Sequence, residues 1–163
     1  DRNSEQLCRG LRSHPADHPD CLSYCRAMPV RSVFDMVDEA KAALDNLSCS
    51  EAQRRVDAEG ALIVDIRDIR ELQRDGCIPG AHHTPRGMLE FWVSPDSPYT
   101  KDIFQHSREL IICCAGGMRS ALAAKALQDM GVDKVSHIES GFEGWRDTMP
   151  TQTHDEWKAA RSA

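Results

Sequence analysis

The stretch C114-A-G-G-M-R-S120 joins a thiol, two adjacent glycines and an arginine, between an aliphatic run that ends at Cys113 and a helix-forming run that begins at Ser120. Glycines at that point let the backbone curl so that successive amide N–H groups turn inward, which makes an anion-binding nest at a helix N-terminus. A thiolate at the centre of the nest is stabilised by the helix field, and Arg119 adds to this if its side chain turns toward the sulfur. Such a thiolate can attack the outer sulfur of a donor, hold it as a persulfide and surrender it to a second nucleophile. Cys114 is therefore the candidate nucleophile, and Ala115, Gly116, Gly117, Met118, Arg119 and Ser120 are the candidate loop around its sulfur.

A second register exists. Cys113 to Arg119 has the C-x5-R spacing of a longer loop able to wrap a phosphate, so a cysteine-dependent phosphatase using Cys113 stays open. The aliphatic run Leu110 to Cys113 favours Cys114, because it reads as a buried strand passing through Cys113. A shorter loop also encloses a single sulfur atom better than a tetrahedral phosphate. Adjacency leaves Cys113 a redox role beside an oxidised Cys114, against the strain of a vicinal disulfide.

Asp65 and Arg67 stand at the end of another aliphatic run and are candidate supporting residues; the alternative is that Asp65 caps the next helix and Arg67 pairs with Glu71. Trp92, with Phe91, either walls the pocket or belongs to the core. His82 and His83 follow a Pro-Gly turn and read as structural, and Trp145 reads as an anchor for the last helix. His14, His18, Cys21 and Cys25 have spacings that could hold zinc on two helical turns, but no recognisable zinc pattern accompanies them, and no metal site is expected.

These residues need elements to position them. Phe34, Val37, Ala40, Leu44 and Leu47 fall on one helical face with Ser32 as N-cap. Ser48 and Glu51 have capping-box spacing, which predicts a second helix to about Asp57, before Gly60. A buried parallel strand is expected over residues 61–66, a helical turn or two over 68–75, a short strand over 81–84 and a short helix in R86-G-M-L-E-F-W-V93. S94-P-D-S-P-Y99 must be loop. A second buried strand is Leu110 to Cys113, a helix from Ser120 stops at Gly131, and a third alternation covers Lys134 to Glu139. Strands alternating with helices imply an α/β fold with a parallel sheet covered on both faces, where ligands bind beyond the carboxyl ends of the strands.

The chain has 163 residues, a net charge of −6 and no apolar run near the ~20 residues needed to cross a bilayer. It also lacks the basic stripe that phosphate backbones require, so neither membrane nor nucleic acid is an expected partner. Seven cysteines, an odd number with two adjacent, fit reactive or buried thiols better than a disulfide framework. Cytoplasmic location is the default expectation. Residues 1–31 show no clear period and hold five arginines against four acidic residues, so the acidity belongs to the remainder. They read as an N-terminal extension, either a flexible tail or sequence upstream of an initiator at Met28. Residues 32–150 form the domain, and 151–163 a C-terminal tail for which helix is one option.

V64-D-I-R67, G76-C-I-P-G-A-H82, C114-A-G-G-M-R-S120 and S140-G-F-E-G-W145, in that order, resemble the rhodanese-like domain family over residues 35 to about 150. The resemblance implies a rhodanese-like α/β fold with a central five-stranded parallel sheet and helices on both faces. It further implies a single-domain sulfurtransferase that takes sulfane sulfur from a donor such as thiosulfate onto Cys114. The acceptor would be a thiol, with glutathione or thioredoxin as options, or cyanide in the laboratory. No cofactor is expected beyond the covalent persulfide on Cys114. A non-catalytic binding or regulatory module is the alternative within the same fold. The sequence departs from the family at Ser140, where glycine is usual, and at Thr84, where an aliphatic residue is more frequent.

Overall fold

A computed structural model describes residues 30–161 of the chain. The readings placed on His14, His18, Cys21, Cys25 and Met28 lie outside the described residues. Every helix and strand among the described residues belongs to the unit that begins at Ser32.

Helix α1 (Val33–Ala43) starts where the Ser32 hydroxyl accepts the Phe34 N–H at 3.2 Å. It ends earlier than the apolar period predicts. Leu44 is extended, and the Asn46 side-chain amide donates to the carbonyls of Lys41 (2.9 Å) and Leu44 (3.1 Å), which satisfies acceptors at and just past the helix end. The chain then enters strand β1 (Asp45–Leu47), so Leu47 belongs to the sheet and not to the helix, and Phe34 is 63% exposed. Helix α2 (Cys49–Glu59) is capped by Ser48, whose hydroxyl accepts the Glu51 N–H. Only that half of the expected capping box forms, because the Glu51 carboxylate binds Arg54 and Arg55.

Strand β2 (Leu62–Asp65) is buried throughout. Helix α3 (Ile69–Asp75) carries a complete capping box between Asp68 and Glu71. Strand β3 (His82–His83) is shorter than expected, and a 3-10 turn (Arg86–Met88) leads into helix α4 (Leu89–Val93). After the Pro-rich loop come strand β4 (Leu110–Cys113), helix α5 (Met118–Asp129), strand β5 (Val135–Ile138), helix α6 (Gly141–Thr148) and helix α7 (His154–Ala160). Helix α5 therefore begins two residues before Ser120.

The five strands form one parallel sheet in the order β1-β5-β4-β2-β3, with β4 at its centre. Helices cover both faces. On one side Leu47, Ile63, Ile111, Cys113 and Ile138 pack against Ala52, Phe142 and Trp145 of α2 and α6. On the other, Leu62, Val64, Ile112 and Cys114 pack against Leu89, Ala123 and Leu127 of α4 and α5. Helix α7 closes over α3 through Trp157, whose indole N–H donates to the Ala81 carbonyl at 2.9 Å. Among the described residues no helix is long and apolar enough to cross a membrane.

Candidate active site

Side chains alternate across a sheet, so the two neighbouring cysteines of the central strand serve opposite faces. Cys113 lies in the α2/α6 core, wholly buried, its thiol donating weakly to the Cys114 carbonyl at 3.4 Å. Burial pushes the Cys113 thiol well above the usual cysteine range, so it stays protonated. Cys114 is on the α4/α5 side, just past the carboxyl end of β4, where ligands bind in open parallel sheets.

The loop is shaped from behind. The N-terminal amides of α6 have no acceptor within their own helix. Two of them find loop carbonyls: Phe142 N–H donates to Cys114 O at 2.7 Å and Glu143 N–H to Ala115 O at 3.0 Å. A Cβ on Gly141, at φ 62, would come within 2.2 Å of Ala115 O. Gly117, the N-cap of α5 at φ 87, is just as constrained, since a Cβ there would meet Glu139 O at 1.9 Å. Gly116 is different: an added Cβ would meet only Glu143 Oε2, at 3.6 Å. One of the two glycines is thus required by the geometry, and it is the second.

The chain returns to the sulfur from α5. Ser120 N–H donates to Cys114 Sγ at 3.3 Å, and Ser120 Oγ lies 3.5 Å from it. Met118 and Arg119 sit in the same first turn, whose amides have no intrahelical acceptor. The Met118 side chain is exposed. Arg119 does not turn toward the sulfur: its guanidinium binds both Glu71 carboxylate oxygens at 2.8 Å. That hydrogen-bonded pair draws Glu71 down to about 2 and raises Arg119 further.

Asp65 and Arg67 do not make the capping and helix-pairing contacts offered as the alternative to a supporting role. Asp68, not Asp65, caps α3, and Arg119, not Arg67, pairs with Glu71. Instead they bind each other, Arg67 Nη2 to Asp65 Oδ2 at 2.7 Å, at 1% and 2% exposure. Asp65 is in register with Cys113, and Arg67 also donates to the Gly76 carbonyl and stacks 3.7 Å above the Phe142 ring. Burial works against the Arg67 charge, and the Asp65 carboxylate more than restores it. Trp92 is half-buried against the cluster that contains Cys114, and its ring contacts are His82 and the Lys101 ammonium.

Two residues at this site were not found from the sequence. His137 of β5 is wholly buried, with Nδ1 3.2 Å from Ser120 Oγ and Nε2 2.7 Å from Asn46 Oδ1. A histidine in the middle of a short buried strand was the available signal. The two family departures also find places. Ser140 has an ordinary right-handed backbone, so no glycine is needed, and its hydroxyl lies 3.4 Å from Cys49 Sγ. Thr84 is wholly buried, its hydroxyl without a partner among the described residues.

The rhodanese-like domain model matches residues 48–148. Thiosulfate sulfurtransferase GlpE of Stutzerimonas stutzeri (strain A1501) is 37% identical over 98 residues, which cover 60% of this chain and 82% of that protein. YrkF of Bacillus subtilis (strain 168) is 28% identical over 108 residues, 66% of this chain, and the chain spans only 54% of its length. A solved structure from Rhodopseudomonas palustris CGA009, a protein of unknown function described as a possible tyrosine phosphatase, is 48% identical with a TM-score of 0.71. That match covers 77% of this chain and 99% of the other.

Proposed function

The chain belongs to the rhodanese-like domain family, and from that membership we propose that it is a sulfurtransferase whose carrier is Cys114. One observation supports this above the others: Cys114 heads the loop with the Ser120 amide on its sulfur, while Cys113 is sealed in the opposite face of the sheet.

With thiosulfate as donor, the Cys114 thiolate attacks the sulfane sulfur; the new S–S bond forms as the old one breaks, and sulfite leaves with the electron pair. An acceptor thiolate, or cyanide, then attacks the outer sulfur of the persulfide and regenerates the Cys114 thiolate. The first-turn amides of α5 favour the anionic sulfur at both stages. Cys49, Cys77, Cys113 and Cys114 are all free thiols, which suits a reducing cytoplasm where glutathione or thioredoxin serves as acceptor.

The Rhodopseudomonas relative gives phosphatase chemistry a specific claim. Two observations weigh against it here: the cysteine with C-x5-R spacing points into the α2/α6 core, on the face of the sheet away from the first turn of α5, and its arginine is held by Glu71. The test is thiocyanate production from thiosulfate and cyanide, with an aryl phosphate assayed in parallel, in the unmutated chain, Cys114→Ser and Cys113→Ser. Loss of sulfur transfer in Cys114→Ser alone, with the phosphate intact, supports the reading. Phosphate hydrolysis abolished by Cys113→Ser would replace it with a phosphatase.

A further inference from the structure

Behind the sulfur, a hydrogen-bonded chain runs from Ser120 through His137 to Asn46 at the sheet edge, and the bonds around it fix its proton positions. The Asn46 amide nitrogen is committed to the carbonyls of Lys41 and Leu44, so Oδ1 is the atom that faces His137. Nε2 of His137 must therefore carry the hydrogen. Burial keeps the imidazole neutral, with its pKa down at about 4, which leaves Nδ1 as a lone pair. Its neighbour is Ser120 Oγ.

The Ser120 hydroxyl has one hydrogen and three acceptors within reach: Gly117 O at 3.0 Å, His137 Nδ1 at 3.2 Å and Cys114 Sγ at 3.5 Å. Gly117 O already accepts the Ala121 N–H at 3.2 Å. A wholly buried imidazole nitrogen without a donor is the costlier vacancy, so the hydrogen goes to His137. Only lone pairs of Oγ then face the sulfur, and the resting thiol donates to them.

We infer that His137 and Asn46 are positioning residues for sulfur transfer, which hold the Ser120 hydroxyl hydrogen away from Cys114 until the sulfur carries negative charge. This rests on reading Cys114 as the carrier. When Cys114 loses its proton to solvent, the hydroxyl rotates from His137 to the sulfur; no covalent bond other than S–H is broken. The Ser120 amide bond to sulfur persists in both states. The chain thus opposes ionisation of the empty carrier by the strength of the Ser120–His137 bond. Lys41 and Glu139 are the charged groups near His137, and Arg119 and the Cys113 thiol lie near Cys114, with Asp65 near both of those; all of them are left unaltered in the test variants.

The test is a pH titration of thiolate ultraviolet absorbance, taken as the difference from Cys114→Ser in each background, for the unmutated chain, His137→Phe, Asn46→Ala, Ser120→Ala and His137→Phe with Ser120→Ala. His137→Phe removes the preferred competing acceptor and leaves only Gly117 O, so its midpoint falls by up to about one pH unit, the size of one neutral hydrogen bond. Asn46→Ala lets the imidazole move its hydrogen to Nδ1 and donate to Ser120, so its midpoint falls too, but by less. Asn46 is exposed, which keeps this arm readable if His137→Phe does not fold. His137→Phe does not move the midpoint when Ser120 is alanine. Midpoints that stay put or rise, or shifts that persist without Ser120, overturn the inference. If Cys114→Ser leaves thiocyanate production intact, it is the carrier reading that fails, while the titration still decides the hydroxyl's direction.

Discussion

Glu71 holds Arg119 through both carboxylate oxygens, so the arginine that closes the Cys114 loop is tied to α3 and not to the sulfur. Both side chains are partly exposed, at 20% and 45%. Glu71→Gln weakens the clamp yet keeps an acceptor for the Asp68 amide. Freed, Arg119 can meet an anionic donor: KM for thiosulfate is expected to fall several-fold with little change in kcat, and stability to change by less than about 1 kcal/mol. Steady-state kinetics and urea denaturation check both halves.

The two loop glycines should respond differently. Gly117→Ala puts a Cβ against the Glu139 carbonyl at a positive φ, for an expected loss of about 2–4 kcal/mol and of sulfur transfer. Gly116→Ala is expected to stay within about 1 kcal/mol and to remain active. Equal effects in the two variants would contradict the distinction drawn between them.

Asp65 and Arg67 form a buried pair that is costly to break by halves. Arg67→Met strands the Asp65 carboxylate, and the expected loss is about 3–5 kcal/mol. Replacing both residues with apolar side chains should cost less than Arg67→Met alone, which urea denaturation of the single and double variants would read.

His137 and His82 are both held neutral by burial, each with its pKa lowered from 6.5 to about 4. The unfolded chain therefore binds more protons than the folded one between those values, and stability must fall as pH drops from about 6.5 to about 4. Each histidine contributes a slope of at most about 1.4 kcal/mol per pH unit. Glu71, with its pKa lowered to about 2, adds its own loss only below about 4.5. Denaturation midpoints across this range should flatten in His137→Phe; an unchanged slope there would refute the assignment.

The loop was legible because its strand, thiol, glycine and helix are contiguous, and local caps such as Ser48 marked where helices begin. Strand β1 was not. Its one large apolar residue, Leu47, also fits the period of α1, and what makes the segment a strand is pairing with β5 some 90 residues later. The same distance hid Asn46 and His137, which lie 91 positions apart. Asp65 and Arg67 stood out at the end of an aliphatic run, but their arrangement depends on Gly76 and on Phe142, residues that no local pattern connects to them. Spacing alone did not separate Gly116 from Gly117, because the difference is made by the Glu139 carbonyl.

The contacts of α6 with the Cys114 and Ala115 carbonyls also set an order in time. A ribosome delivers Cys114 before it delivers Gly141, Phe142 and Glu143, and β4 before its neighbour β5. A nascent chain therefore displays the thiol while the part of the fold that gives it a shape is still unmade. The loop takes its shape only when Gly141 to Glu143 have followed Cys114 out, so on the proposed function the carrier is a property of the finished domain, and a chain stopped between the two holds an ordinary cysteine.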